Sequence, residues 1–303
     1  AGDTIASGGN YNVTIGDEAG TALTTGDNNV AIGFEALTTE DANGLNVAVG
    51  FRSLKTLNAG ADGENTAVGN NTGTAMTTAV YNTVVGSQAG DALTDGSSNT
   101  AIGMNALTAD TRGQNSVAIG RNALLAQNFT SSTDAYNIAI GRDAGKAITT
   151  GVRNTIIGSN AGDACTTADD CVAVGNDALG ANTTAHDNTA VGAGALLSTT
   201  TGSGNTGIGR LAAYTNTTGY GLTAIGTSSL SANTDGHSNT AVGYQAARDN
   251  TTGDSNSIVG NNAYLVATTG SLNSGVGGQS LADLTSGSEN CALGHRALPH
   301  VTT

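Results

Sequence analysis

The hydrophobic residues of this chain recur at a long fixed interval, with neither helical nor plain alternating order. A Val, Ile or Leu stands directly before a glycine at 17 regularly repeated places, from Ile15–Gly16 to Leu293–Gly294, with Leu179–Gly180 outside the series. Of the 16 intervals between those glycines, 14 are 17 residues, one is 19 (Gly50 to Gly69) and one is 21 (Gly120 to Gly141). Self-similarity at a fixed period marks a stacked-repeat architecture. With that glycine as position 0, position −4 is Asn in 14 of 17 copies, the exceptions being Ser116, Cys171 and Leu222. Position +3 is Ala or another small residue, and position +10 is a second glycine in 11 of the first 16 copies. Position +4 is Leu in nine copies and Gly in five (Gly20, Gly73, Gly90, Gly145, Gly162). In those five a larger apolar residue stands at +7: Leu23, Met76, Leu93, Ile148 and Cys165. Such compensation means that +4 and +7 face one shared core.

The segment N-T-A-V-G is β-branched and bounded by turn residues, which predicts a short strand. A second short strand is expected around x-x-A-L after the glycine. One 17-residue unit is then one turn of an all-β, parallel β-solenoid, and 17 stacked coils at about 4.8 Å would make a rod on the order of 80 Å long. The whole of 1–303 reads as one repeat domain, with partial coils at 1–11 and 295–303 and loop insertions within 51–64 and 121–136. Glycine suits corners that need a positive φ. The Asn column is expected to stack as an amide ladder: Asn12, Asn29, Asn46, Asn65, Asn82, Asn99, Asn137, Asn154, Asn188, Asn205, Asn239, Asn256, Asn273 and Asn290. Position −1 is always aliphatic, and position −2, on the other face of the strand, is Ala in 11 of 17 copies. A strand apolar on both faces is buried on both. The small Ala face would let another backbone come close, so sister chains, three in all, are expected to cover it.

Composition narrows the class. There are 45 glycines, one proline, no tryptophan and 3% aromatic residues, too little bulk for a rounded core. Yet 38% of residues are hydrophobic and fall in register, which argues against simple disorder. The formal charge of −14 and the lack of a basic run disfavour nucleic acid and anionic membrane surfaces as partners. No apolar run is long enough for a membrane span.

NSVAIG at 115–120, with NVAIG and NTAVG elsewhere, resembles the head repeats of trimeric autotransporter adhesins (YadA-type). Repeats of the form NTAVGxxALxxNTTG also resemble those of phage tail fibres. The resemblance runs from Asn12 to Leu298 and implies a left-handed β-roll, a homotrimer and an extracellular place on a cell surface, a secreted filament or a virion.

Candidate chemistry is sparse. His186 and His237 share a column three coils apart, about 14 Å at strand spacing, too far to share a metal; His295 and His300 lie near the end. Asp163, Asp169 and Asp170 cluster, but a glycan-cleaving site also wants aromatic platforms. No catalytic residue, cofactor or metal site is assigned. Cys165 and Cys171 flank a turn and are candidates for a disulfide; Cys291 is expected to be a small interior residue. Sequons begin at Asn12, Asn70, Asn128, Asn182, Asn216 and Asn250, with turn chemistry as the plainer reading and glycosylation the other. The leading expectation is a non-enzymatic structural or adhesive fibre. The alternatives are a filament subunit that polymerises head to tail, an ice- or surface-binding protein built on the Thr column at −3, and a tailspike-like hydrolase.

Overall fold

A computed structural model describes Gly2 and residues 9–299. It is all-β, with no helix among the described residues: a parallel β-solenoid of about 17 turns with the expected period. The chain divides into two compact units, Ala1–Arg153 and Asn154–Thr303. In the first, three-residue strands from Val13–Ile15 to Ile138–Ile140 pair in parallel, one per coil. In the second, the same holds from Thr155–Ile157 to Cys291–Leu293. Register places like on like: Thr206 lies against Thr223, and Thr223 against Thr240. The two long intervals do not shift it, since Val47 still faces Thr66 and Val117 faces Ile138. Their extra residues leave the stack as loops, and the longer loop adds a small pair, Gly113–Gln114 with Thr133–Asp134.

The strand ends where glycine becomes obligatory. Every position-0 glycine has φ between +125° and +146°, a region costly for any side chain. Neighbouring coils also touch there: a Cβ on Gly209 would lie 2.6 Å from the carbonyl carbon and oxygen of Gly226. Most of the +10 glycines answer only the second demand; Gly60, in an inserted loop, is left-handed (φ +71°) with open space around it. Gly236 has no left-handed φ, but a Cβ on it would meet Gly253 O at 2.6 Å.

The second strand expected after the glycine does not form. Positions +1 to +5 are turns in which +2 and +4 are left-handed, as at Ser228 (φ 57°) and Leu230 (φ 48°). Alternate N–H groups point to opposite neighbours: Ser228 donates back to Arg210 O at 2.9 Å and Leu230 forward to Ala246 O at 3.0 Å. An A-L pair reads as strand, but the chain must bend here within five residues. A left-handed Leu costs roughly 1 kcal/mol or more; burial of its side chain, about 1.5–3 kcal/mol, offsets this.

The two faces of the remaining strand are the reverse of the expectation. Ala224 at −2 is 0% exposed within its own chain, whereas Ile225 at −1 is 36% exposed. The alanines line the solenoid's interior and need no sister chain to cover them. The interior is thin, built from Ala at −2 and +3, Leu at +4 or an apolar residue at +7, and Asn at −4. Leu37, Leu107 and Leu196 at +4, and Leu23, Met76, Leu93 and Ile148 at +7, are all fully buried, so the two positions do share one core.

Candidate functional site

Because side chains alternate along a strand, positions −3 and −1 both point outward. Together they form a two-column ribbon on each unit that contains no charged residue. Position −1 supplies only Val, Ile or Leu; position −3 supplies Thr, Val, Ser, Ile138 and Cys291. Many of the aliphatic groups are more than a third exposed: Val13, Ile15, Val68 and Ile102 in the first unit, Ile208, Val259 and Val276 in the second. An open apolar face on a parallel sheet is uncommon, since such sheets are normally covered on both sides, and a contiguous exposed apolar patch usually marks an interaction site. Cys291 belongs to this ribbon and is exposed, against the expectation that it was interior.

Inside, amides set the coil-to-coil geometry. Within each unit the buried Asn of the −4 column offers Oδ1 to the backbone N–H of the next coil, as Asn188 does to Asn205 (2.9 Å) and Asn256 to Asn273 (3.0 Å). Its Nδ2 in most copies donates to the carbonyl at +10 of the same repeat, 14 residues on, as Asn205 does to Gly219 O at 2.9 Å; Asn46 donates to Gly44 O instead. The ladder is therefore stitched mainly side chain to backbone. Amide-to-amide bonds occur in some steps, such as Asn273 Nδ2 to Asn256 Oδ1 at 3.1 Å.

A second amide column escaped the sequence reading. Asn216, Asn233 and Asn250 at +7 are fully buried, and Asn233 Nδ2 donates to Asn216 Oδ1 (2.9 Å) and Gly236 O (3.0 Å). Asn182 stands in the same column with Ala185 O as acceptor at 2.9 Å. The sequon asparagines Asn182, Asn216 and Asn250 thus point inward, where the folded chain presents no acceptor for a glycan. The signal was present: +7 is the column that elsewhere holds Leu23 or Met76, so its asparagines are interior too.

That column also holds two buried carboxylates, each in the coil before a long interval. Glu40 accepts from Asn43 Nδ2 (3.0 Å) and from Ala59 N–H (3.3 Å) in the 19-residue interval. Asp110 accepts from Gly113 N–H (3.0 Å), Gln127 Nε2 (2.6 Å) and Phe129 N–H (3.1 Å) in the 21-residue interval. An inserted loop brings backbone donors to the core edge that no regular coil partner meets, and a carboxylate can accept several at once. Burial lifts the Glu40 carboxyl above its usual range, opposed by the Asn43 and Ala59 donors.

Cys165 and Cys171 are free, buried thiols. Both sulfurs face the Asn182 amide, 3.6 and 3.9 Å from Nδ2. Burial pushes them up to about 12 and about 11, so neither is a thiolate at neutral pH. His186 and His237 act as cross-coil ties. Their Nδ1 atoms accept from Asp169 N–H (3.0 Å) and Tyr220 N–H (3.4 Å), while His237 N–H itself donates to Asp254 Oδ1 (2.7 Å). His295 is exposed, and His300 lies outside the described residues. Among the described residues no three His, Cys, Asp or Glu side chains converge to hold a metal, and no helix is long and apolar enough to cross a membrane.

Comparison with protein-family models gives no match, and comparison with curated proteins likewise finds no relative.

Proposed function

We propose that the chain is a non-enzymatic structural fibre protein whose copies associate sideways through the outward ribbon and act outside the cell as a rigid shaft or adhesive head. The fold class is that of a parallel β-solenoid, which is compatible with a fibre. The observation that carries the reading is the uncharged ribbon of half-exposed Val and Ile on each unit. The partner is a second and third copy of the same chain, the number that the adhesin-like repeats imply. Self-association on this face supersedes the Ala-face packing expected from the sequence, since the alanines are already enclosed.

The test is the mass in solution by light scattering and sedimentation. The wild type is expected at three times the 29.6 kDa chain mass, and Ile208→Asp with Ile225→Asp at the single-chain mass with an unchanged β-rich circular dichroism spectrum. A wild type that stays monomeric at high concentration refutes the reading.

One observation favours a second reading. Thr189, Thr206, Thr223 and Thr240 face outward in four successive coils beside Val191, Ile208, Ile225 and Val242. A regular Thr–aliphatic array can order water at an ice surface. Thermal hysteresis by the wild type that disappears in Thr206→Lys would establish it, and its absence removes it.

A further inference from the structure

Position +5 changes character along the second unit: it is polar or charged at Asp163, Ser231 and Arg248 and apolar in two runs, Leu197 with Tyr214, and Leu265, Ala282 and Pro299. A concavity lies at each run. The first, about 260 Å³, is lined by Asn176, Asp177, Gly194, Leu197, Arg210 and Tyr214, with Leu211 beside them. The second, about 440 Å³, is lined by Asn262, Leu265, Gln279, Asp283, Arg296 and Pro299. Both occupy the furrow between positions +1/+2 and +5, apart from the ribbon at −3 and −1.

Their make-up is alike. Each joins an apolar wall to one guanidinium, one carboxylate and at least one amide. Gly194 is the one glycine in the +2 column. A Cβ there would come within 3.0 Å of Leu211 Cδ2 and 3.5 Å of the Tyr214 ring, so its bare backbone opens the first groove. In the second, Asn262 Oδ1 is buried and has no hydrogen-bond donor. That amide loses nothing by turning its oxygen toward an incoming hydroxyl, because an unpaired buried acceptor is already costly.

We propose that the two grooves are stations for a neutral glycan strand lying along the furrow. A sugar ring has an apolar C–H face and a rim of hydroxyls that both donate and accept. Tyr214 and the leucines suit the face. The Asp177 and Asp283 carboxylates accept from hydroxyls, and Arg210 and Arg296 donate to them. A polyanion fits poorly, since each guanidinium has a carboxylate in its own groove and the chain carries −14. A peptide would seek free backbone donors, but those of the furrow are taken: Gly194 N–H by Asn176 O (3.0 Å), Leu211 N–H by Ala193 O (3.0 Å). The stations lie five coils apart, roughly 24 Å at strand spacing. No single ring spans that distance, so a chain that engages both gains from multivalency. The site belongs to one chain and stands whether or not the ribbon self-associates.

The probes are soluble β-1,4- and α-1,4-linked glucose hexasaccharides, titrated by calorimetry and by amide chemical shifts. Saturable binding of at least one is expected, with shifts at Gly194 and Gln279. Tyr214→Ala and Arg296→Ala should each weaken it about ten-fold, the loss of one good contact at about 1.4 kcal/mol. Asp235→Ala, at position +9 and outside the furrow, should leave it unchanged. Both groove variants should keep the wild-type assembly mass, and the monomeric ribbon variant should still bind, so failure here is separable from failure of the fibre reading. No saturable binding of either probe, binding indifferent to the groove variants, or preference for a sulfated polysaccharide or a peptide at these residues overturns the proposal.

Discussion

At the scale of single residues, two kinds of glycine hold the repeat together, and they differ in what they would tolerate. Gly209 needs a φ of +133° and touches Gly226 through a gap that a methyl group would close. Gly204, in the same coil, has φ +68° with nothing within 4 Å of a built Cβ. Gly204→Ala should therefore cost only the left-handed penalty, about 1–2 kcal/mol. Gly209→Ala adds a backbone collision that must push two coils apart, and should cost about 4 kcal/mol or more. Urea melts of the two variants side by side check the difference; equal losses would mean that the close approach is not a constraint.

At the scale of elements, the coil is closed by hydrogen bonds as much as by apolar contact. A slim interior cannot bury enough surface for each short strand, and two amide columns supply directional ties where bulk is missing. The same logic places Glu40 and Asp110 beneath the two inserted loops. Because burial sets Glu40 above its ordinary 4.5, the linked stability is full below pH 4.5 and is lost as pH rises through the higher native value. Glu40→Gln removes that titration while keeping an oxygen for Ala59 N–H. The stability advantage of the variant should grow as pH rises past that window and vanish below it, read from melts across the range. Glu35 has the opposite sign: the Lys55 and Arg52 hydrogen bonds (both 2.6 Å) hold its carboxyl below the usual range, so its contribution is lost on acidification.

At the scale of the whole molecule, an apolar ribbon and a charge of −14 act against each other. Sideways association brings like-charged chains together, and their repulsion is screened over about 8 Å at physiological ionic strength and over far longer distances in dilute buffer. Association through the ribbon should therefore strengthen as salt is raised, the reverse of a contact held by ion pairs. Sedimentation at low and high salt distinguishes the two, and an assembly that falls apart in salt would point away from the ribbon. The ribbon, the furrow and the loop-bearing turns lie at different positions of the repeat. The proposed association face and the proposed binding furrow are thus separate surfaces of one scaffold.

The residues alone determined the period, the number of coils, the strand before each glycine and the shared core at +4 and +7. Stacking in register makes every column its own neighbour, so a column's chemistry is written many times over. Only the tertiary structure decided which side of the strand faces in. Both sides are apolar, and a three-residue strand has no polar residue to break the tie. The width of the coil breaks it. At −2 a Cβ on Gly207 would already lie 3.0 Å from Leu196 Cγ, so where Leu fills +4 the interior admits little more than Ala. Val84 and Ile156 fit at −2 in coils whose +4 residues are Gly90 and Gly162, and a built Cβ on either glycine would come within 3.0 Å of them. That pairing was only partly legible in the sequence, since Ile258 is buried at −2 in a coil whose +4 residue is Tyr264; its meaning depends on how close the opposite wall stands, a distance set by the turns after the glycine. Those turns, with alternate residues left-handed, were hidden as well, because an Ala-Leu pair carries no mark of the bend it makes until the coil above and below fixes its hydrogen bonds.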